Sequence, residues 1–322
     1  MNKIHRLALF AAAALTASTF ACAQSWPTHP IRILVGSPPG GPSDIVTRLF
    51  ADQLGQREKQ PVVVENRPGA GNGLAAGVVA KSEPDGYTLV LSPDTVVTVN
   101  PLVYRKLNYD PRADLVNVSI LASFTQMLVC SAASGVRTVP ELVARAKAGH
   151  MTYASGGPGV PGHLAAEMFL QTAGVKMQHI PYKGPAPATL AVVAGEADCG
   201  FLATPTVLPQ VKAGKLFALA VSSAAPSPLA PEVPTLAQAL GKPGLDISFK
   251  LVLQAPKATP APVLAELEAA AMEIMKKPDV RAKLQFSDLV AVGSSTKDAE
   301  AVMKAETARW EPVVKRLDIK LE

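Results

Sequence analysis

The sequence predicts an α/β fold of two lobes joined by two crossovers of the chain. Three observations predict it. Short apolar, strand-like runs alternate with stretches of helical periodicity from Ile31 onward. Glycine- and proline-rich turns link strand to helix in both halves. Two further strand-like segments, near residues 124–131 and 246–254, read as the chain leaving the first lobe and coming back to it.

Residues 1–23 stand apart as an export signal: Lys3 and Arg6 form a basic start, Leu7 to Leu15 an apolar run, and Ala21-Cys22-Ala23 a cleavage site. The apolar run is too short to span a membrane and no later stretch is long enough, so a soluble, periplasmic chain starting at Gln24 is expected. Thr19-Phe20-Ala21 is a poor approach to a lipidated Cys22, which makes a lipoprotein the lesser reading. The remaining 299 residues exceed a comfortable single core, in keeping with two domains. They carry 29 basic and 26 acidic residues without runs, and no basic stripe interleaved with aromatics, which argues against nucleic-acid binding. Cys130 and Cys199 each sit in an apolar strand-like segment and read first as buried thiols; a disulfide between them is the alternative in an oxidising compartment.

In the first half, Ile31–Val35 reads as a buried strand and Ile45, Val46, Leu49, Phe50 and Leu54 as one face of a helix. Between them Val35-Gly-Ser-Pro-Pro-Gly-Gly-Pro-Ser-Asp44 forms a strand-to-helix turn. Pro38 and Pro39 stiffen it, Gly40 and Gly41 let backbone N–H groups approach a ligand, and Ser43 or Asp44 is placed to cap the helix. A helix start offers unpaired N–H groups and partial positive charge, so the turn suits an anion such as a carboxylate. A second strand at residues 61–65 precedes a glycine-rich loop and a helix over 74–81. Gly69 and Gly71 are followed by Leu74 where a dinucleotide fingerprint needs its third glycine, so no nicotinamide cofactor is expected. Tyr87–Leu91 is a third strand, and Ser92-Pro-Asp-Thr95 a polar loop beyond its end. In parallel sheets ligands collect at such strand ends.

The second half repeats the design. Thr138-Val-Pro-Glu141 is a capping box for a helix ending at Gly149. Strand Thr152–Ser155 leads through Gly156-Gly-Pro-Gly-Val-Pro-Gly162 to a helix starting near His163, and strand 178–184 ends in the loop Tyr182-Lys183-Gly184. Strands at 197–201 and 216–221 flank a helix, and 224–234 is a surface loop. The chain closes in helices, with Ser295 to Asp298 capping the last and Pro312 expected to kink or end it.

This ordered set resembles the tripartite tricarboxylate transporter substrate-binding, or Bug, family. The likeness is carried by Pro39-Gly-Gly-Pro-Ser-Asp44, Glu65-Asn-Arg-Pro-Gly-Ala-Gly71, Pro84-Asp-Gly-Tyr-Thr-Leu89, Tyr153-Ala-Ser-Gly-x-Pro-Gly, Gly162-His-Leu and Pro181-Tyr-Lys-Gly-x-Ala-Pro-Ala188, and runs from about Trp26 to the end. It implies a type II periplasmic binding protein, a Venus flytrap with lobe 1 formed by residues 24–124 and 250–322 and lobe 2 by 125–249. It further implies a small carboxylate or related small organic ligand held between the lobes by loop N–H groups, hydroxyls and bridging water. The implied ligand residues are Ser37, Pro39, Gly40, Gly41, Ser43 and Asp44, with Ser92, Asp94 and Thr95 beside them. From lobe 2 they are Ser155, Gly157, Gly159, His163, Tyr182, Lys183 and Gly184. Asp44 is better suited to holding its loop than to meeting an anion. Ser37 stands where the family usually has an aromatic, Ala191 where it often has an acid, and Phe249-Lys-Leu251 where it often has Trp-x-Gly; these departures bear on ligand choice rather than fold.

The expected function is therefore a monomeric solute-binding protein that hands its ligand to membrane transporter subunits. A receptor of the same fold feeding a sensor kinase is the alternative. An enzyme is the lesser one: no G-x-S-x-G elbow and no H-E-x-x-H is present, and His29, His150, His163 and His179 form no metal-spaced pair. No cofactor or metal is expected.

Overall fold

The computed structural model describes residues 26–317 and 319–321, so the expected export signal and Cys22 lie outside the described residues. The first half contains β1 (Ile31–Val35), α1 (Pro42–Glu58), β2 (Val62–Asn66), α2 (Gly73–Val79), β3 (Thr88–Pro93), α3 (Thr95–Thr98), α4 (Asn100–Val103) and the long β4 (Leu115–Ser131). Then follow α5 (Val139–Ala148), β5 (Thr152–Ser155), α6 (Pro161–Ala173), β6 (Gln178–Pro181), α7 (Pro185–Ala194), β7 (Cys199–Ala203), α8 (Thr204–Lys212), β8 (Leu216–Val221) and α9 (Leu236–Leu240). The chain finishes with β9 (Ser248–Pro256), α10 (Ala261–Lys276), α11 (Pro278–Phe286), β10 (Val290–Ala291) and α12 (Thr296–Leu317). Among the described residues no helix is long and apolar enough to cross a membrane.

The strands run in the order β2-β1-β3-β9-β4-β7-β5-β6, with β8 and β10 also paired to β4. Within each half the neighbours β1–β2, β1–β3, β5–β6 and β5–β7 are parallel, as strand-helix alternation requires. The two halves meet through β4. Its residues from Leu115 to Thr125 pair antiparallel with β9, and those from Gln126 to Ser131 pair with β7 and β8. The change of partner falls between Thr125 and Gln126. On the return path Ile247 donates to the Ser222 carbonyl, and β9 then joins β3 and β4. β4 thus carries the chain from the first half to the second and the segment between Ser222 and β9 brings it back; a row of rings packs beside this crossing, where Phe124 lies 5.8 Å from Phe249, which stacks on Trp310 at 5.6 Å and 11°.

Three expectations need correction. Cys130 and Cys199 are not free thiols: they sit opposite each other on β4 and β7 and form a disulfide. Strand register, which no local pattern reveals, is what brings them together. Ser92 and Pro93 are not loop but the end of β3, and Asp94 starts helix α3 directly. Pro312 does not end the last helix, which runs on to Leu317.

That helix has a further role in the architecture. Its first half packs on lobe 1, where Ala299 and Met303 join Val97, Ile120 and Val252. Leu317 then lines a depression with Leu170, Val175 and Met177 of the other lobe. Beyond it Leu321 donates to Val103 O (2.7 Å), accepts from Arg105 N (3.0 Å) and sits against Gly159.

Candidate ligand-binding cleft

The loop after β1 is anchored from behind. Asp44 accepts from Gly40 N (3.0 Å), Arg48 Nε (3.0 Å) and Asn66 Nδ2 (2.9 Å), and the same Asn66 amide donates to Ser37 O (2.9 Å). Burial works to raise the Asp44 carboxyl; the hydrogen bonds from Arg48, Gly40 and Asn66 outweigh it and hold the group below its ordinary 3.8. Gly36 is obligatory here, since a Cβ would fall 2.3 Å from Asn72 O. Among the described residues the buried Ser37 hydroxyl has no hydrogen-bond partner.

The glycine loop after β5 is held in a parallel manner. Ser155 Oγ lies 2.7 Å from His179 Nε2 and receives the Gly157 N–H at 3.2 Å. His163 Nδ1 accepts from Gly159 N at 3.1 Å, which places its proton on Nε2. His163 stacks on His179 at 4.4 Å and His179 on Tyr153 at 4.8 Å. Burial lowers His179 to about 4; burial and the neighbouring His179 lower His163 to about 3, so both rings are neutral at neutral pH. The third loop hangs on this one, with Tyr182 N donating to Ser155 O and Gly184 N to Gly156 O, each at 3.0 Å.

The two lobes touch across the cleft. A Cβ on Gly184 would lie 2.7 Å from Pro38 Cδ, and one on Gly41 would lie 3.1 Å from Pro185 Cγ. This is the geometry of a closed cleft. Behind the contact lies an inner cavity of about 470 Å³ of empty space, open mouth included. Four helix N-termini reach it: Pro42 and Ser43 of α1, Pro161 and Gly162 of α6, Gly184-Pro185 of α7 and Ala203 before α8. Each helix has proline in its first two positions, where the missing N–H costs nothing. Ser37, Asn72 and Gln126 add polar side chains, and Pro93, Phe124, Phe201 and Leu202 an apolar floor at the crossing strands. Among the described residues no charged side chain lines this cavity. Such a site can hold an anion through N–H groups and helix dipoles while its body meets apolar surface.

An outer chamber of about 980 Å³ adjoins the inner one, sharing Asn72, Gly156, Val160 and Gly184. Of the residues named from sequence, Ser37, Ser43 and Gly184 line the inner cavity, and Gly157, Tyr182, Lys183 and Gly184 the outer one. Pro39, Gly40, Gly41, Asp44, Ser155, Gly159 and His163 line neither; they shape or brace the loops that do. Ser92 Oγ donates to Gln254 Oε1 (3.3 Å) inside the sheet, and Asp94 and Thr95 are fully buried behind Pro93. Phe124, Gln126, Phe201 and Ala203 were missed; a glutamine where the apolar run of β4 changes lobes was the available signal. Of the three family departures, only Ser37 reaches the cavity. Ala191 is buried in α7, and Phe249 belongs to the ring stack.

Solved structures share this fold. The chain is similar to R. palustris Rpa4515 with adipate, at a TM-score of 0.88 and 31% identity over 92% of this chain and 99% of that one. It is also similar to MatC (Rpa3494) from Rhodopseudomonas palustris with bound malate, at 0.84 and 27% identity over 90% and 100%. Fold and cleft together define a two-lobed solute-binding protein. The family model described as tripartite tricarboxylate transporter family receptor matches residues 46–319, and Protein BugT of Bordetella pertussis is 32% identical over 327 residues, covering 100% of both chains. The chain belongs to this receptor family.

Proposed function

We propose that this protein is exported by cleavage after Ala23, captures a small carboxylate between lobes 24–124 plus 250–322 and 125–249, and delivers it as a monomer to membrane transporter subunits. One observation carries the ligand class: four helix N-termini converge on a cavity that, among the described residues, has no charged side chain in its lining, so a carboxylate finds donors and positive potential but no carboxylate neighbour. Ser37, Ser43, Gly162 and Gly184 offer the groups nearest the ligand, while Asp44, Ser155 and His163 hold the loops in place. The adipate and malate of the two similar structures fit the same class. Binding without turnover is the expected chemistry, since the cavity lining holds no acid, base or nucleophile pair.

A thermal-shift screen of the mature protein against mono-, di- and tricarboxylates, amino acids and nicotinamide-like aromatics tests the reading. A ligand bound only by the folded form adds about 2.7 kcal/mol of stability at a hundredfold excess over Kd. A carboxylate that raises Tm by several degrees supports the proposal. Stabilisation by none of them, or chemical conversion of the bound compound, would sink it. Capture of the loaded form by transporter subunits rather than by a sensor kinase decides the delivery step.

A further inference from the structure

We infer that Asp94 is a proton site coupled to the cleft: as a carboxylate enters the inner cavity the protein takes up a proton at Asp94, so that alkaline medium weakens binding. The inference rests on the carboxylate reading of the inner cavity and adds the regulation of that site.

Asp94 follows Pro93, which lines the inner cavity, and is fully buried behind it. Its backbone is committed: the N–H donates to Lys250 O (2.9 Å), and the carbonyl accepts from Val97 N and Thr98 N (2.9 Å each). Its carboxyl is not. Among the described residues neither oxygen has a hydrogen-bond partner, and the hydroxyl of the next residue, Thr95, is likewise buried and unpartnered. A carboxylate buried without donors is costly and a neutral carboxyl far less so. The charges that face this group come from two elements. Lys250 of β9 lies 3.8 Å from Glu306 of α12, and Arg309 of α12 pairs with Glu306 at 3.2 Å and donates to the Asp246 carbonyl. The strands β3 and β4 and the helix α4 contain no charged residue. Lys250, Arg309 and Glu306 leave one positive charge over, which a protonated Asp94 lets stand behind the cavity wall and an ionised Asp94 cancels. Burial raises Asp94 to about 7 in the empty protein. An anion on the far side of Pro93 adds like-charge repulsion, which favours the protonated form further. The coupling is reciprocal, so the proton favours the ligand by the same factor. For charges about 10 Å apart at an effective dielectric of about 20, that factor is about ten- to twentyfold.

Titration calorimetry of the mature protein with adipate and with malate, both ionised between pH 6.5 and 9, tests this. Affinity is expected to be highest at pH 6.5 and to fall about ten- to twentyfold by pH 9. At pH 7.5 the heat of binding should differ between phosphate and Tris, because the buffer supplies the proton taken up. The histidines and tyrosines of the cleft stay outside this window: His163 and His179 titrate at about 3 and about 4, and Tyr104 and Tyr182 are raised above their ordinary 10.0. Asp94→Asn, neutral at every pH, should make affinity flat with pH and the heat independent of buffer. Carbon-13 NMR of wild type labelled at its aspartate carboxyls follows the same group without a substitution: one carboxyl should titrate near neutrality in the empty protein and at higher pH in the loaded one. A Kd of wild type that does not change with pH, or a pH dependence that Asp94→Asn retains, would overturn the coupling and leave the inner carboxylate site standing. Failure of both acids to bind at any pH would overturn both readings.

Discussion

Gly41 offers the sharpest test that the closed cleft is the ligand-bound form. It precedes α1 with φ −88° and ψ 173°, a conformation open to any residue, so a side chain there does not strain the backbone. Its Cβ would meet Pro185 of the opposite lobe at 3.1 Å from Cγ and 3.8 Å from Cδ, and Asn adds three more heavy atoms beyond that Cβ. Overpacking of this kind costs about 1–3 kcal/mol, and it arises only when the lobes meet. Because Asn is a good helix N-cap, Gly41→Asn is expected to leave the Tm of the unliganded protein within a few degrees of wild type. Affinity for the carboxylate found by the screen should fall about 5- to 150-fold, a tenfold loss for every 1.4 kcal/mol. Titration calorimetry measures the second quantity and scanning fluorimetry the first. An unchanged Kd with an unchanged Tm would show that the approach of Gly41 to Pro185 is no part of the bound state.

Two further outcomes follow from buried groups outside the cavity. Burial raises Asp94 to about 7; the charge of Lys250 opposes this and that of Glu306 adds to it, while the backbone N–H groups of Lys250 and Thr95 lower it. The folded state thus keeps a proton that the unfolded chain loses near 3.8, so this contribution to stability is full below pH 3.8 and lost as pH rises through about 7. Asp94→Asn should melt above wild type at pH 8 and show a flatter Tm between pH 4 and 7; parallel curves for the two proteins would refute the burial argument. Reducing the Cys130–Cys199 bond, whose ends are 69 residues apart, should cost about 2–4 kcal/mol in urea unfolding, and a double Cys→Ala variant should be insensitive to reductant.

The alternation of strands and helices was legible because each element carries its own period, and the glycine turns after β1, β5 and β6 mark the strand ends where ligands gather. The first half of β4 was not, because Asn117 and Ser119 interrupt its apolar run. Both are buried and satisfied over long distances, Asn117 Oδ1 by Gln254 Nε2 (2.9 Å) and Ser119 Oγ by Ser294 O (2.8 Å). The site divides the same way. Ser37, Ser43, Lys183 and Gly184 announce themselves in turns, whereas Phe124, Gln126 and Phe201 look like ordinary strand residues until strand pairing puts them on the cavity floor. His163 and Ser155 lie in the right loop but work from behind it, a distinction that needs side-chain directions.

The chain beyond α12 gives the molecule a built-in position for an optical reporter. Leu321 is hydrogen-bonded between Val103 and Arg105 on one lobe while its side chain meets Gly159 on the other. Parting of the lobes moves that side chain from protein to water. An environment-sensitive dye on a cysteine at this position would therefore report closure as a change of emission at the rim of the outer chamber, beside Gly159 and Tyr104.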